Sequence, residues 1–160
     1  MLRENAAGLP DVASCESEQP HQVLQHLTRL FYGIARMRIL IADDNAQMRR
    51  LIRTMVEVSG WEVCAEAKNG VQAVTRAIEC KPHAIILDLA MPEMNGIEAG
   101  RQISSILPDV AIVMFTSCAS PLVQIKAARV GIQKVISKSD GPKLIRALEE
   151  TLAQVHRKAA

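Results

Sequence analysis

The sequence ILDLAMPEMNG, residues 86–96, contains an apolar run that ends abruptly at a single acid, Asp88. The apolar run AIIL (84–87) is continuous, which is typical of a strand that is buried on both faces of a parallel sheet. After Asp88, Met91-Pro92 breaks the chain and Asn95-Gly96 turns it again, so we assign these two pairs a role in loop geometry. A carboxylate at the end of a buried strand indicates a functional site at that end of the strand.

Outward from this stretch, the chain alternates between two kinds of pattern. Four more apolar segments predict strands at RILIA (38–42), WEVCAEA (61–67), 110–115 and KVIS (134–137). Apolar residues spaced by three and four predict five helices, which are expected over 45–59, after the cap Asn69, after Gly96, from the cap Ser120 with Pro121, and from Pro142 onward. Strands that alternate with helices in this way predict an α/β fold, a doubly wound parallel sheet with five strands and five flanking helices.

Composition and charge exclude several classes of function. The chain has 160 residues and a net charge of +2, and its basic residues form no stripe, so we expect no direct binding of nucleic acid. Cys15, Cys64, Cys80 and Cys118 are scattered singly without C-x-x-C spacing, which is typical of reduced thiols in a cytoplasmic protein. No apolar run approaches the roughly 20 residues that span a bilayer, so no membrane partner is expected. The four histidines have no ligand spacing and are expected at the surface.

The two ends of the chain differ from its middle. Residues 1–20 lack any burial pattern and are predicted to be a disordered tail, and residues 158–160 a second, short tail. Residues 21–36 carry one apolar helical face, which predicts an amphipathic helical extension. That extension is interpreted as a helix packed on the domain or an upstream extension of the reading frame, with a dimerising helix as the alternative. The compact domain is predicted over residues 37–157.

Polar residues collect at the carboxyl ends of the predicted strands, where ligands bind in sheets of this kind. Asp43 and Asp44 follow the first strand, Asp88 the third, Thr116 the fourth and Lys138 the fifth. If the first and third strands are neighbours, three carboxylates converge, and each close pair of like charges costs about 4 kcal/mol at an effective dielectric near 20. A Mg²⁺ ion would relieve this repulsion. The set makes Asp88 a candidate nucleophile for phosphoryl transfer, with Lys138 and Thr116 complementing the phosphoryl oxygens.

Residues 37–157 resemble the receiver domain of bacterial two-component response regulators. The residues that carry the resemblance are the acidic pair in ILIADDN, the acid in ILDLAMPEMNG, the threonine in IVMFTS and the lysine in VISKSDGPKL. The resemblance implies a flavodoxin-like sheet with strand order 2-1-3-4-5. It also implies that Asp43, Asp44, Asp88 and the backbone carbonyl of Ala90 hold Mg²⁺, that Asp88 is the phosphoacceptor, and that Thr116 and Lys138 bind the phosphoryl group.

The function that this resemblance implies is that of a switch in a phosphorelay. A sensor histidine kinase or a phosphotransfer protein would phosphorylate Asp88, and the changed surface would bind a downstream protein or pair two copies of the chain. Such a domain is no enzyme beyond its own phosphorylation and dephosphorylation. Its sequence most resembles receivers that precede a LuxR-like helix-turn-helix domain. No such output domain is expected after the last helix. The alternative is therefore the receiver part of a DNA-binding regulator that lacks its helix-turn-helix domain.

The same residues also fit other interpretations. An aspartate-dependent phosphohydrolase shares the nucleophile and the metal, but it typically has an acid two residues after the nucleophile, where this chain has Ala90. Taken alone, Asp44 is typical of a helix N-cap, Thr116 of a satisfied hydroxyl and Lys138 of a solvated charge. Val135 stands where receivers often have an aromatic residue, which puts the usual aromatic readout in doubt while leaving the phosphoryl chemistry.

Overall fold

The computed structural model describes residues 36–159, and within them five strands alternate with five helices. The strands are β1 (Arg38–Ala42), β2 (Glu62–Ala67), β3 (Ala84–Leu87), β4 (Ala111–Thr116) and β5 (Lys134–Ser137). The helices are α1 (Ala46–Val58), α2 (Gly70–Cys80), α3 (Gly96–Ile106), α4 (Pro121–Arg129) and α5 (Leu144–Ala159). The predicted α/β class is confirmed. The predictions for the tail 1–20 and for the extension up to residue 35 lie outside the described residues.

The five strands form one parallel sheet in the order β2-β1-β3-β4-β5, which confirms the predicted flavodoxin-like topology. The order reverses between β1 and β3, which lie side by side, with Ala42 opposite Leu87 in the register. Strand β4 separates β3 from β5, and Thr116 lies opposite Ser137. Because all strands point the same way, the residues that follow them share one edge of the sheet.

The starts of four helices are fixed by side-chain caps. The cap residues are Asn45, Asn69, Asn95 and Ser120, each of which accepts backbone N–H groups of the first helical turn. The predicted caps Asn69 and Ser120 are confirmed. The interpretation of Asp44 as an N-cap is wrong, because Asn45 accepts the N–H groups of Gln47 and Met48 and leaves the Asp44 carboxylate outside the helix. These caps satisfy donors that a helix cannot satisfy internally.

The last helix begins later than predicted. Pro142 lies inside a 3₁₀ segment, Lys138–Lys143, and α5 begins at Leu144. Asp140 has non-helical backbone angles within that segment, so the chain turns there before it can enter a regular helix. A proline fits the start of a helix, but the sequence alone does not show that a short 3₁₀ turn comes first.

The interior is a layer of aliphatic side chains on each face of the sheet. Strands β3 and β4 are buried at every position, whereas β2 is an edge strand with mostly half-buried residues. One apolar cluster, here called the core cluster, joins the central strands to α2, α3 and α4 and includes Leu40, Ala73, Ala77, Leu87, Ile103, Met114 and Ala127. Among residues 36–159, every helix falls short of the length and hydropathy that a bilayer crossing requires.

Candidate functional site

The predicted site residues lie at the carboxyl edge of the sheet. Asp43 directly follows β1, Asp88 follows β3, Thr116 ends β4 and Lys138 follows β5. Three of these side chains are almost completely buried, with exposed fractions of 1% for Asp43, 4% for Asp88 and 2% for Thr116. Buried polar groups are costly unless they are paired or used, so their position at one edge indicates a site.

Three carboxylates converge at this edge. Asp43, Asp44 and Asp88 each offer an oxygen, and these oxygens all lie within 4.8 Å of one another. Asp44 is exposed and reaches the group from the solvent side, while Asp43 and Asp88 form its buried part. The arrangement can hold a metal ion, since an all-oxygen set that is open to water on one side suits a hard divalent cation.

Lys138 is the cation that faces this cluster. Its Nζ lies 2.7 Å from Oδ2 of Asp43 and 3.3 Å from Oδ2 of Asp88, and its side chain is 15% exposed. Burial alone would lower the pKa of Lys138, but the two carboxylates outweigh it and hold the pKa above its ordinary value. The lysine therefore stays charged and neutralises part of the carboxylate repulsion.

The two carboxylate oxygens of Asp43 have different partners. Its Oδ1 accepts the backbone N–H of Asn45 at 2.8 Å. Its Oδ2 is buried and is paired at 2.7 Å with the ammonium group of Lys138, which Asp88 shares. One lysine leaves part of the negative charge of the three carboxylates uncompensated, and carboxylate oxygens are the ligands that Mg²⁺ prefers. On this observation the three aspartates fit a bound Mg²⁺.

The carboxylate of Asp88 carries a charge that its surroundings disfavour. Its Oδ1 accepts the N–H of Leu89 at 2.8 Å, and its Oδ2 faces Lys138. Burial and the nearby charge of Asp43 together raise the pKa of Asp88, although Lys138 and the Leu89 N–H act in the opposite direction. A partly desolvated carboxylate beside a lysine is well prepared to act as a nucleophile once a further cation is present.

Thr116 is the last residue of β4, which lies between β3 and β5, the strands that Asp88 and Lys138 follow. Its Oγ1 accepts the backbone N–H of Cys118 at 3.3 Å, which orients the hydroxyl at the carboxyl end of β4. Thr116 is opposite Ser137 in the register, so it lies next to the strand that carries Lys138. The structure therefore brings all the predicted side chains of the site, Asp43, Asp44, Asp88, Thr116 and Lys138, to one edge.

The loop after Asp88 is shaped by a close backbone contact. A Cβ at Gly96 would lie 2.1 Å from the backbone oxygen of Asp88, so this position accepts only glycine without movement of the loop. Gly96 also donates its N–H to the carbonyl of Leu89 at 2.9 Å. Ala90 is an exposed residue of this loop, and its carbonyl as a metal ligand stays a prediction.

Arg49 is a site residue that our sequence analysis missed. Its Nη1 donates to the carbonyl oxygens of Asp43 at 2.8 Å and Asp44 at 3.3 Å, while its Nε binds Glu66. Arg49 thus fixes the backbone of the acidic pair from the first turn of α1. A basic residue one turn into the helix after an acidic pair was the available signal, but such a residue is more often a solvated charge.

Val135 lies outside this group of polar side chains. It is opposite Met114 in the register of β4 and β5 and packs half-buried against the core cluster. A groove of about 370 Å³ between α4 and β5 is lined in part by Val135, Gln124 and Ile136.

Comparisons with known proteins agree with this geometry. Residues 39–149 match the family model of the response regulator receiver domain. The chemotaxis protein CheY of Thermotoga maritima is 37% identical over 105 residues, which are 66% of this chain and 88% of that protein. CheY of Bacillus subtilis is 37% identical over 116 residues, which are 72% of this chain and 97% of that protein. A crystal structure of a LuxR-family two-component response regulator from Aurantimonas sp. SI85-9A1 superposes with a TM-score of 0.72 at 31% identity, covering 75% of this chain and 87% of that chain.

Proposed function

Because this chain belongs to the response regulator receiver domain family, we propose that Asp88 accepts a phosphoryl group from a sensor histidine kinase or a phosphotransfer protein. Phosphorylation changes the surface of the domain, and this changed surface then binds a downstream protein or a second copy of the chain. The observation that carries this proposal is the convergence of Asp43, Asp44 and Asp88 within 4.8 Å beside the ammonium group of Lys138. One lysine leaves this cluster of three carboxylates with a net negative charge, which supports the binding of a further cation.

The transfer step uses groups that are already in place. An oxygen of Asp88 attacks the phosphorus of the donor phosphohistidine, the new O–P bond forms, and the N–P bond breaks to release the imidazole. Lys138 lies beside Oδ2 of Asp88, where it offsets the charge of the phosphoryl oxygens, and the Thr116 hydroxyl offers them a hydrogen bond. The amide of Leu89 holds Oδ1, which keeps the carboxylate oriented during the attack.

The metal requirement follows from the same residues. Asp43, Asp44 and Asp88, together with the carbonyl of Ala90, would hold Mg²⁺. The bound ion supplies positive charge that stabilises the transferred phosphoryl oxygens. Arg49 keeps the acidic pair in position through its contacts with both backbone carbonyls. The negative charge that Lys138 leaves uncompensated in the cluster supports this assignment.

A second candidate function uses the same chemistry with a different output. The 31% identity to a two-component response regulator of the LuxR family favours the alternative, a receiver part of a DNA-binding regulator whose helix-turn-helix domain is on another chain. The partner recovered with the phosphorylated chain distinguishes the two candidates. Only the second candidate predicts that this partner is a helix-turn-helix protein.

Acetyl phosphate provides a direct test of the proposal, because it replaces the kinase as donor and releases acetate. We expect one phosphate-sized mass increment in the wild-type chain with Mg²⁺, and only background in Asp88→Asn. Asp140→Asn is the matched control, since Asp140 forms a surface ion pair with Lys143 and should leave the increment unchanged. An increment that persists in Asp88→Asn would show that Asp88 is not the acceptor.

A further inference from the structure

Two cysteines that are separate in the sequence meet in the structure. The Sγ atoms of Cys64 on β2 and Cys80 at the end of α2 are 3.0 Å apart, although the residues are 16 positions apart in the chain. Both are half-buried and both are free thiols. The distance is short for two sulfur atoms that are not bonded, so neither side chain needs a large movement to reach the other.

A β-bulge explains why Cys64 points towards α2. In the register of β1 and β2, Ile39 lies opposite Val63 and Leu40 opposite Ala65, so Cys64 is the extra residue of the edge strand. Cys64 and Ala65 both pack against the core cluster, whereas consecutive residues of a regular strand face opposite sides. The bulge therefore turns Cys64 onto the face of the sheet that α2 covers.

Cys80 is placed by the end of its helix. It is the last residue of α2, and the following residue, Lys81, has a left-handed backbone conformation with φ of 45°. Ala77, one turn earlier, is completely buried against the sheet, which fixes the helix end over β2. The two sulfur atoms are therefore brought together by rigid elements and not by a loop.

We propose that Cys64 and Cys80 form a reversible redox pair, which a hydroperoxide oxidises to an intramolecular disulfide between β2 and the end of α2. In the first step one thiolate attacks the peroxide, the O–O bond breaks, and a sulfenic acid and the corresponding alcohol or water form. In the second step the other thiol attacks that sulfur, the S–S bond forms, and water leaves. A thiol reductant returns both thiols. The pair acts independently of the phosphoryl chemistry at Asp88.

Either thiol can make the first attack, and the other then resolves the sulfenic acid. Burial, and then the contact with Cys80, raise the pKa of Cys64 to about 12. Once one thiol is oxidised, the held proximity of the other favours the disulfide over further oxidation, because an intramolecular partner at contact distance has a high effective concentration.

Peptide mapping of the full-length chain after brief treatment with hydrogen peroxide tests this proposal. Free thiols are alkylated before digestion, and we expect a Cys64–Cys80 cross-linked peptide at least about tenfold more abundant than any cross-link that contains Cys15 or Cys118. Dithiothreitol should return both alkylated peptides. The disulfide closes a loop of about 16 residues, so the melting temperature should rise by about 5–10 °C on oxidation.

Single substitutions test the pairing. Cys64→Ala and Cys80→Ala should each abolish the cross-linked peptide and the rise in melting temperature on oxidation. The wild-type mapping needs no variant, so a substitution that impairs folding does not affect the outcome. Recovery of Cys64 and Cys80 as separately alkylated or separately oxidised peptides from folded, peroxide-treated protein would overturn the proposal, as would a preferred cross-link to Cys118.

Discussion

At the scale of single residues, the site contains a carboxylate whose ionised form is destabilised by burial and by the charge of Asp43. Asp88 is buried next to Asp43, and both carboxylates form ion pairs with the same residue, Lys138. A raised pKa means that the protonated form of Asp88 is favoured by folding, so its contribution to stability is present below about pH 4 and is lost as the pH rises through the folded pKa. At neutral pH the protein therefore carries an unfavourable charge at the position where the proposed phosphoryl transfer needs it.

The first prediction follows from the raised pKa of Asp88. Asp88→Asn in the presence of EDTA should unfold at a higher temperature than the wild type at pH 7, by about 2–4 °C for a gain on the order of 1 kcal/mol. The gain should shrink as the pH falls towards 4, where Asp88 is itself neutral. Thermal melts by circular dichroism measure both. Asp140→Asn, at a half-exposed surface ion pair, should change the melting temperature little; a lower melting temperature for Asp88→Asn would contradict the prediction.

At the scale of secondary-structure elements, the site depends on how closely α3 approaches the loop that carries Asp88. Gly96 begins α3, and its Cα lies against the backbone of Asp88 and Leu89. Asn95 caps the same helix by accepting the N–H of Glu98 at 3.0 Å. The helix start therefore contacts the loop that carries Asp88, so a displacement of one is expected to displace the other.

The second prediction tests this contact. Gly96→Ala should lower the free energy of unfolding by about 2 kcal/mol, because a Cβ there would lie 2.1 Å from the carbonyl oxygen of Asp88. It should also slow phosphorylation by acetyl phosphate, since relief of the clash displaces Asp88. Urea unfolding and the rate of the mass increment are the measurements. Gly141→Ala is the control, because no atom lies within 4 Å of a Cβ at that position; equal effects of the two substitutions would show that the contact is unimportant.

The third prediction concerns the opposite edge of the sheet, where His83 precedes β3. Its Nδ1 accepts the backbone N–H of Arg38 at 3.0 Å, so the ring must be unprotonated at that nitrogen. Burial, and then the positive charges of His156 and Arg38, lower the pKa of His83. Above about pH 6.5 the folded and unfolded chains are both neutral at this residue, and as the pH falls below 6.5 the unfolded chain takes up the proton first.

The stability of the wild type should therefore fall between pH 7 and pH 5.5, with a contribution from His83 of at most about 1.4 kcal/mol per pH unit. His83→Asn keeps an acceptor for the Arg38 N–H and cannot titrate. We expect a smaller loss of unfolding free energy in this variant over the same pH range, measured by urea unfolding. The same loss in both proteins would assign the pH dependence to other groups.

At the scale of the whole molecule, the local patterns predicted the fold well and the long-range contacts poorly. The strands at 38–42, 84–87 and 134–137 were predicted with the residues that the structure shows. The clearest of them is 84–87, because a buried parallel strand is a continuous apolar run. The 3₁₀ turn before α5 was not predicted, since Pro142 fits a helix start equally well. The half-buried position of His83 also differs from the surface position that we expected.

The candidate site was predictable for the same reason that the strands were. Each of Asp43, Asp88, Thr116 and Lys138 lies at or directly after a strand end, so the topology alone brings them together. The contact between Cys64 and Cys80 was not predictable, because WEVCAEA reads as a regular alternating strand and the bulge at Cys64 depends on its pairing with β1. Arg49 was missed because its role lies in backbone contacts, which side-chain patterns do not reveal.

The fourth prediction concerns the residues before the domain. Met37 is buried, and its carbonyl accepts the N–H of Glu62, so β1 is complete in a chain that begins there. We expect a chain of residues 37–160 to keep the rate of Asp88 phosphorylation by acetyl phosphate within about twofold, because every residue of the site follows Met37. Light scattering of both chains shows whether residues 1–36 support a dimer. Loss of reactivity in a truncated chain that circular dichroism shows to be folded would place the domain boundary earlier.

The central claim is that Asp88 accepts the phosphoryl group in a reaction that the acidic cluster makes dependent on Mg²⁺. Its most direct test is to phosphorylate the full chain with acetyl phosphate, reduce the acyl phosphate with borohydride, and locate the resulting homoserine by peptide sequencing. We expect homoserine at position 88 in the presence of Mg²⁺, little of it in EDTA, and a strongly reduced yield in Asp44→Asn at limiting Mg²⁺. Homoserine at another aspartate, or an equal yield at position 88 with and without the metal, would contradict the account.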